Sequence, residues 1–253
     1  MRVLVMLFSL VSYVLFLGVF VYLVLFLGGG FLSAWAPFLS DLKMIDSGTA
    51  GYSVLGLSAI ASNFVLLLAF GVQHSVMARK PFKAALTKVV PEAAERSVFV
   101  FATAIVLMWL YMAWQPMTGS VWQLEGAGAL LMTLLFLVGA TLVLWSTFMI
   151  NHFELFGLAQ AWRYFKGKDE PEATFREPAM YKVSRHPLYL GIITVFWATP
   201  TMTTGHLFFA SIWTAYVFIG IGYEERDLID TFGDKYKDYM NRVPQIIPLG
   251  RRK

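Results

Sequence analysis

Residues 3–28 read VLVMLFSLVSYVLFLGVFVYLVLFLG, an apolar run without a single charged side chain. The hydrocarbon core of a bilayer is about 30 Å thick, and roughly 20 apolar residues of helix are enough to cross it. The run is long enough, and it lacks the small-residue cleavage site that follows the core of a secretory signal peptide. We therefore predict a retained membrane-spanning helix near the start of the sequence.

The rest of the sequence has the same character. Of the 253 residues, 58% are apolar and only 14% are charged, far from the average composition of a soluble domain. Residues 54–71, 98–114 and 127–150 are further candidate spans. The apolar region 188–222 is interrupted by Pro200 and the polar run that follows it, so we predict a tight helical hairpin with two short arms. The predicted fold is an all-α integral membrane protein with about six transmembrane helices, four spans plus this C-terminal hairpin.

The Lys and Arg residues are distributed unevenly over the predicted loops. If the six helices cross in turn, all of the 20 Lys and Arg residues except Lys43 fall on one side. An excess of Lys and Arg marks the cytoplasmic loops of membrane proteins. We therefore expect both termini in the cytoplasm. In a membrane protein the location of Lys and Arg matters more than the net charge of +4, so we expect a lipid bilayer and no nucleic acid as partner.

Two parts of the sequence differ in composition. Residues 1–150 contain four spans with few ionisable groups, and we predict a transmembrane scaffold. Residues 151–253 contain a polar loop, the hairpin and a charged tail, and long loops are usually functional. The last span is predicted to continue as an amphipathic helix that breaks at Gly233. We predict one integrated membrane domain with its catalytic region in residues 151–253, on the cytoplasmic side.

The absence of cysteine excludes several kinds of chemistry. A protein without cysteine has no disulfide, no thiolate nucleophile and no Cys-based metal site. His152 and Glu154 are two donors close in sequence and do not make a metal site, so we expect no metal. There is no Walker motif, and the small residues 126–128 open an apolar helix instead of following a strand, which excludes a glycine-rich nucleotide loop.

The segment SRHPLYLG, residues 184–191, joins the polar loop to the hairpin. Pro187 suits the first turn of a helix, whose free N–H groups and positive dipole end favour an anionic group. Arg185 and His186 strengthen that preference. Ionisable groups at such a depth are by default a functional-site hypothesis. The alternative is that they anchor a helix end at the lipid headgroups, and their position alone does not separate the two.

Three further polar clusters stand at the predicted cytoplasmic ends of the spans. Tyr223, Glu224 and Glu225 follow the last span, and two adjacent carboxylates can bind hydroxyl or amino groups or face a cationic centre. The alternative is ordinary solvated charge at a helix end. The second cluster is NHFELFGLAQ, residues 151–160, and the third is QHS, residues 73–75, a candidate wall of a polar pocket.

The motifs RHPLYLG (185–191) and EERDL (224–228) are followed by FG, two tyrosines and two residue pairs that end in proline, VP and IP. In this order they resemble the C-terminal signature of the isoprenylcysteine carboxyl methyltransferase superfamily. Within it, residues 73–79 and 151–160 look most like those of the bacterial methanethiol S-methyltransferases. The NnrU-like proteins share parts of the same pattern.

The resemblance implies S-adenosylmethionine as methyl donor, bound in a cytoplasmic pocket that is roofed by the C-terminal segment and contains no Rossmann sheet. It implies that Arg185, His186 and the helix start at Pro187 hold the carboxylate of the donor. The other residues that it assigns to the donor site are Tyr189, Leu190, Tyr223, Glu224, Glu225, Leu228 and Gln160. It also implies a location in the bacterial cytoplasmic membrane.

The reaction implied is an in-line transfer of methyl from the donor sulfonium to a small thiolate, most simply from methanethiol to dimethyl sulfide. A small thiol is mostly protonated at neutral pH, so a base is useful, and the candidates are His74, His152 and Glu154, with His152 ranked first. The alternatives are an isoprenylcysteine-like or other thiol acceptor, and a non-enzymatic NnrU-like membrane protein. Because the polar groups gather at one membrane face, we favour an active site over a conduit.

Overall fold

The computed structural model describes residues 1–172 and 174–248 of the chain. Arg251, Arg252 and Lys253, which the sequence assigns to the cytoplasmic side, lie outside the described residues. In chain order the elements are α1 (Arg2–Leu32), α2 (Ala59–Ala78), α3 (Lys80–Leu86), α4 (Glu92–Ala113), β1 (Ser120–Gln123), α5 (Gly126–Ile150), α6 (His152–Leu155), α7 (Leu158–Lys166), α8 (Pro187–Trp197), β2 (Thr201–Thr203), α9 (Thr204–Phe232) and α10 (Asp234–Arg242).

Within residues 1–172 and 174–248, five helices are long and apolar enough to cross a membrane, namely α1, α2, α4, α5 and α9. The predicted all-α membrane class and the four N-terminal spans are confirmed. The second span begins later than predicted, at Ala59, because Val54–Gly56 forms a 3-10 turn in which Leu55 has a φ of 53°. This helix continues to Ala78, so residues 73–75 lie inside it.

The predicted hairpin has two unequal arms, so the expectation of two short arms is wrong. Helix α8 has 11 residues and is about 16 Å long, which is too short to cross a bilayer alone. Helix α9 has 29 residues. The polar run expected at the tip forms β2, which pairs with β1 in an antiparallel two-stranded sheet. The sequence predicts about six spans, and the described chain has five helices of spanning length and one short apolar helix.

The chain divides into two compact units. The first comprises Met1–Gln123, His152–Pro171 and Thr201–Leu207, and the second comprises Leu124–Asn151, Glu172–Pro200 and Phe208–Lys253. The boundaries of these units differ from the predicted division at residue 150. That division concerns function, and it stays a prediction.

In the first unit, the segment α6–α7 lies along the N-terminal half of α1. The Tyr13 hydroxyl bonds His152, Val5 packs against Ala161, and Arg2 lies over the ring of Tyr164. Part of the predicted polar loop is therefore two short helices packed on α1. They have four and nine residues, which is shorter than the window of roughly 11–18 residues over which hydrophobic periodicity is read.

The first unit also contains a buried polar cluster at its sheet. Asp46, from the connection between α1 and α2, accepts a hydrogen bond from the Thr203 hydroxyl at 2.5 Å. Its other carboxylate oxygen lies 3.0 Å from Nδ1 of His206, whose side chain is fully buried. These contacts fasten the connection between α1 and α2 to the start of α9.

In the second unit, α5 and α8 pack closely because glycines face each other. A Cβ atom on Gly191 would lie 2.8 Å from the carbonyl oxygen of Gly139 and 2.9 Å from the backbone nitrogen of Val143. Pro187 precedes Gly191 by four residues, and α5 continues for seven residues after Val143. Since the two helices run antiparallel, α8 begins roughly 5 Å inside the end of α5. Pro187 and the adjoining His186 therefore lie within the length of a spanning helix.

Helix α9 ends at Phe232, and Gly233, with a φ of 57°, joins it to α10. Only glycine adopts this conformation without cost, and the predicted break is confirmed. Helix α10 buries Tyr236 and Tyr239, which pack with Val243 against a partly buried set that includes Leu228.

Candidate functional site

The C-terminal tail docks on the backbone that leads into α8. The N–H of Arg185 donates to the carbonyl of Pro244 at 3.0 Å, and the N–H of His186 donates to the carbonyl of Gln245 at 3.1 Å. The Tyr239 hydroxyl donates to the carbonyl of Tyr181 at 2.5 Å. Burial raises the pKa of Tyr239, so this hydroxyl stays protonated. The two prolines predicted an extended tail, and its hydrogen bonds hold it against residues 184–186.

Arg185 is a buried cross-link. Its Nε and Nη2 atoms lie 2.8 and 2.7 Å from Oε1 of Glu225, and Nη1 donates to the carbonyls of Val243 at 2.6 Å and Met240 at 3.1 Å. These bonds connect the start of α8 with α9 and with the end of α10. These contacts use four of the five N–H donors of the guanidinium, so at most one, on Nη2, is left for a ligand carboxylate.

Glu225 is the buried partner of this cross-link. Besides Arg185, it meets Nε2 of His186 at 3.1 Å, and Gln245 donates to its second oxygen at 3.1 Å. Its side chain is 9% exposed. Gln245 is absent from the predicted residues, although its position directly after Pro244 in the signature offered a signal.

Glu224 has a different environment from its neighbour. Its side chain is 44% exposed, the Tyr189 hydroxyl donates to Oε2 at 2.8 Å, and Nδ1 of His186 lies 4.0 Å from Oε1. The Tyr189 bond holds the carboxylate in place and leaves lone pairs directed outward. Glu224 is therefore the carboxylate of this pair that can accept donors from a ligand.

The other residues of the second unit that were predicted for the donor site either pack in the interior or are exposed. Pro187 is buried as the first residue of α8, and Leu190 packs with Tyr189 against Val217 and Ile221. Leu228 packs against Tyr236 and Tyr239, whereas Tyr223 is 47% exposed. Pro187, Leu190 and Leu228 shape the site through packing, and Tyr223 presents an aromatic surface next to Glu224.

Ser184 adds an unsatisfied polar atom to this site. The residue is fully buried, and its Oγ has no hydrogen-bond partner within the described part of the chain. A buried hydroxyl without a partner is costly, and such an atom is explained when a ligand or water completes it. Sequence analysis quoted Ser184 in the motif and gave it no role.

His152 lies in the first unit, at the start of α6, and it is buried. Its Nε2 atom is 2.8 Å from the hydroxyl of Tyr13, and the rings of Phe153 and Phe156 lie 5.4 and 4.9 Å from its own. Burial lowers the pKa of His152. The imidazole is therefore neutral at neutral pH and able to accept a proton.

Glu154 and Gln160 form a separate anchor in the first unit. Arg163 donates to both oxygens of Glu154, at 2.8 and 2.6 Å, and also binds Glu170. Gln160 donates to the backbone carbonyl of Glu154 at 3.0 Å. Both oxygens of the Glu154 carboxylate are therefore occupied by Arg163.

His74 stands elsewhere in the first unit, on α2. Its ring stacks on Phe70 at 5.3 Å and lies 4.8 Å from the ring of Phe99. These ring neighbours are aromatic, and the polar pocket wall expected at residues 73–75 stays a prediction. The second unit thus contains the predicted residues of the donor site except Gln160. The first unit contains Gln160 and the three candidate bases.

Comparisons with known proteins place the chain in a family. A family model described as NnrU protein matches residues 64–221. Methanethiol S-methyltransferase 1 of Bradyrhizobium diazoefficiens is 43% identical over 235 residues, which is 92% of this chain and 81% of that protein. The methanethiol S-methyltransferase of Crocosphaera subtropica is 41% identical over 249 residues, 98% of this chain and 93% of that protein. The chain belongs to the methanethiol S-methyltransferase family.

Family membership confirms the resemblance inferred from the motifs. The family is also related to Nurim of Rattus norvegicus, which is 30% identical over 181 residues, 68% of this chain and 69% of that protein. No solved structure matches the chain.

Proposed function

We propose that the chain is an S-adenosylmethionine-dependent methyltransferase that converts methanethiol to dimethyl sulfide. The observation that carries this proposal is the similarity to relatives named for methylation of methanethiol, which extends over nearly the whole chain. The polar residues around Glu224 are the proposed binding site for the methyl donor.

The residues around the start of α8 fit the methyl donor. Its amino and hydroxyl groups need acceptors, and the exposed Glu224 carboxylate provides them. Its carboxylate needs donors, and the free N–H groups in the first turn of α8, beside the unpartnered Ser184 hydroxyl, provide these. When bound, S-adenosylmethionine supplies an electrophilic methyl group on a sulfonium centre. We assign Arg185 and Glu225 to holding this site together, because each is the other's buried partner.

His152 is the candidate base that its surroundings favour. Its imidazole is neutral, whereas Glu154 is bound on both oxygens by Arg163. His74 lies among aromatic rings on α2. We propose that His152 accepts the thiol proton and that the aromatic groups around it exclude water.

We further propose that the donor site faces the cytoplasm of a bacterial cell. The excess of Lys and Arg on one side of the predicted spans supports this orientation. A volatile, apolar product can leave through the bilayer, which is a physical reason for placing this chemistry in a membrane protein.

The test is methyl transfer by the purified full-length chain in detergent. Methyl-labelled S-adenosylmethionine and methanethiol are supplied, and labelled dimethyl sulfide is measured by gas chromatography. We expect the product to form in proportion to enzyme. Glu224→Gln removes a charged acceptor worth about 1.5–3 kcal/mol, so we expect the donor Kd to rise roughly 10- to 100-fold.

Asp234→Asn is the matched control, because Asp234 is an exposed carboxylate of the second unit that bonds only Lys237 among the contacts found for it. We expect it to leave donor affinity unchanged. If the donor binds but no thiol is methylated, the assignment of methanethiol is wrong and the isoprenylcysteine-like acceptors become the next substrates to test. If the donor does not bind at all, the chain is not a methyltransferase.

A further inference from the structure

We propose that the hydroxyl of Tyr13 carries the thiol proton to His152, which makes Tyr13 a second catalytic residue of the acceptor site. This inference rests on the proposed function, because it concerns the activation of the same thiol. Nothing in the sequence motifs marks Tyr13, which stands inside the long apolar run of α1.

The contact between the two side chains is direct. The Tyr13 hydroxyl lies 2.8 Å from Nε2 of His152, although 139 residues separate them in the chain. The rings are nearly perpendicular, with centroids 5.7 Å apart. His152 is 5% exposed, whereas Tyr13 is only half-buried, so the phenol is the more accessible member of the pair. A proton that reaches Nε2 passes through the phenol oxygen.

The surroundings of this pair suit a small apolar thiol. Phe153 and Phe156 lie 6.4 and 6.0 Å from the Tyr13 ring, and Phe16 lies 5.0 Å from Phe156. Sulfur makes favourable contacts with aromatic rings at about 5 Å. These rings offer contact area to a methyl group and sulfur atom, and they offer no charge to a polar substrate.

Contacts independent of Tyr13 hold the segment that carries His152. Arg96 donates to the carbonyl of Leu155 at 2.6 Å, and Arg163 binds Glu154. A Cβ atom on Gly157 would lie 2.6 Å from the Ser97 hydroxyl, so the backbone after α6 packs directly on α4. We therefore expect this backbone to stay in place in Tyr13→Phe, and the pH dependence of the variant separates proton transfer from a displaced imidazole.

The proposed step balances in atoms and charge. The S–H bond breaks and its proton goes to the oxygen of Tyr13, while the proton of Tyr13 moves to the lone pair of Nε2. The electron pair of the S–H bond stays on sulfur. A neutral thiol and a neutral imidazole become a thiolate and an imidazolium, and the imidazolium later returns its proton to water. The charged groups nearest in the packed elements are Arg96 on α4, Glu154 in α6 and Arg163 in α7.

The test compares Tyr13→Phe with the wild-type chain in the dimethyl sulfide assay at several pH values. Proton transfer by a positioned group contributes about 10²- to 10⁴-fold, so we expect the variant to be at least about 100-fold slower at neutral pH. We expect the gap to narrow as the pH rises toward the pKa of methanethiol, which lies above the value of about 8.5 for a cysteine side chain, because thiolate then forms without a relay. The gap should also shrink for 2,2,2-trifluoroethanethiol, which is a stronger acid than methanethiol.

Tyr22→Phe is the matched control. It removes a tyrosine hydroxyl from the same helix, one that donates to the carbonyl of Lys43 at 2.8 Å. We expect its pH profile to follow the wild type, and we expect both variants to bind S-adenosylmethionine with unchanged affinity.

The outcomes separate this inference from the proposed function. If the wild-type chain makes no dimethyl sulfide, the proposed function fails and this inference fails with it. If the wild type is active and Tyr13→Phe matches it at every pH, the relay alone is wrong. A defect of equal size at every pH and for every thiol also overturns the relay, because it indicates a structural role.

Discussion

At the scale of single residues, Glu224 and Glu225 stand next to each other and do different things. Glu225 points inward to Arg185, His186 and Gln245, whereas Glu224 is exposed and fixed by Tyr189. Adjacent residues of a helix are separated by about 100°, so only one of them can face the docked tail. We therefore expect Glu225 to contribute mainly to the stability of the fold and Glu224 mainly to ligand binding.

Glu225→Ala is expected to destabilise the folded chain. It leaves the buried Arg185 guanidinium without its carboxylate, and removal of one partner of a buried ion pair costs about 3–5 kcal/mol. Thermal unfolding in detergent should show a clear fall in Tm. Glu224→Ala should keep the wild-type Tm and lose donor affinity. Equal unfolding temperatures for wild type and Glu225→Ala would contradict the cross-link.

Sequence analysis found the residues of the donor site because they belong to contiguous motifs. It could not assign inward and outward roles within Glu224 and Glu225, since those depend on where the tail docks. No sequence motif pointed to Tyr13, because the residue stands in an apolar run and its partner, His152, comes 139 residues later.

At the scale of elements, α5 and α8 pack closely because Gly139 and Gly191 have no side chains to keep the two backbones apart. Gly191→Ala places a Cβ atom 2.8 Å from a backbone oxygen of α5, and neither backbone can yield without separating the helices. Overpacking of this kind costs about 1–3 kcal/mol. We expect a lower Tm and, because α8 carries Tyr189, weaker donor binding.

Gly220→Ala serves as the comparison for this substitution. A Cβ atom at Gly220 on α9 would meet nothing within 4 Å, so its Tm should equal or exceed that of the wild type. A similar loss of Tm in both variants would show that glycine packing between α5 and α8 is not the cause.

Element boundaries followed from the sequence where a single residue type dictates the backbone. Gly233 ends α9 and Pro187 begins α8, both as predicted. The short helices α6 and α7 escaped prediction because four and nine residues are too few to form a stable helix alone, and their stability comes from packing on α1.

At the scale of the whole molecule, five helices of spanning length would by themselves leave the termini on opposite sides. The N–H of Leu124 donates to the carbonyl of Pro200 at 2.8 Å, so the start of α5 and the residues after α8 lie together. Helix α8 with residues 198–200 thus returns the chain to the starting end of α5. We therefore predict an even number of crossings, in agreement with the distribution of Lys and Arg.

This topology predicts both termini in the cytoplasm. Fusions of a reporter that fluoresces only in the cytoplasm should be bright at either terminus, and a fusion in the connection between α1 and α2, for example at Gly48, should be dark. A dark C-terminal fusion beside a bright N-terminal one would mean that α8 does not complete a crossing. Hydropathy alone could not decide this point, because an 11-residue helix is below the length that it recognises.

The docking of the tail on Arg185 also has a consequence for the synthesis of the protein. Val243, Pro244 and Gln245 provide bonds to residues 185 and 186 and to Glu225, and they stand at the end of the described chain. The membrane helices emerge from the ribosome first and can insert in order. The tail carbonyls that accept hydrogen bonds from Arg185 are translated about sixty residues after it. A chain cut short before residue 243 would keep the ion pair between Arg185 and Glu225 but would lose the tail carbonyls that accept from Arg185 and His186, and membrane proteases can recognise such unsatisfied groups.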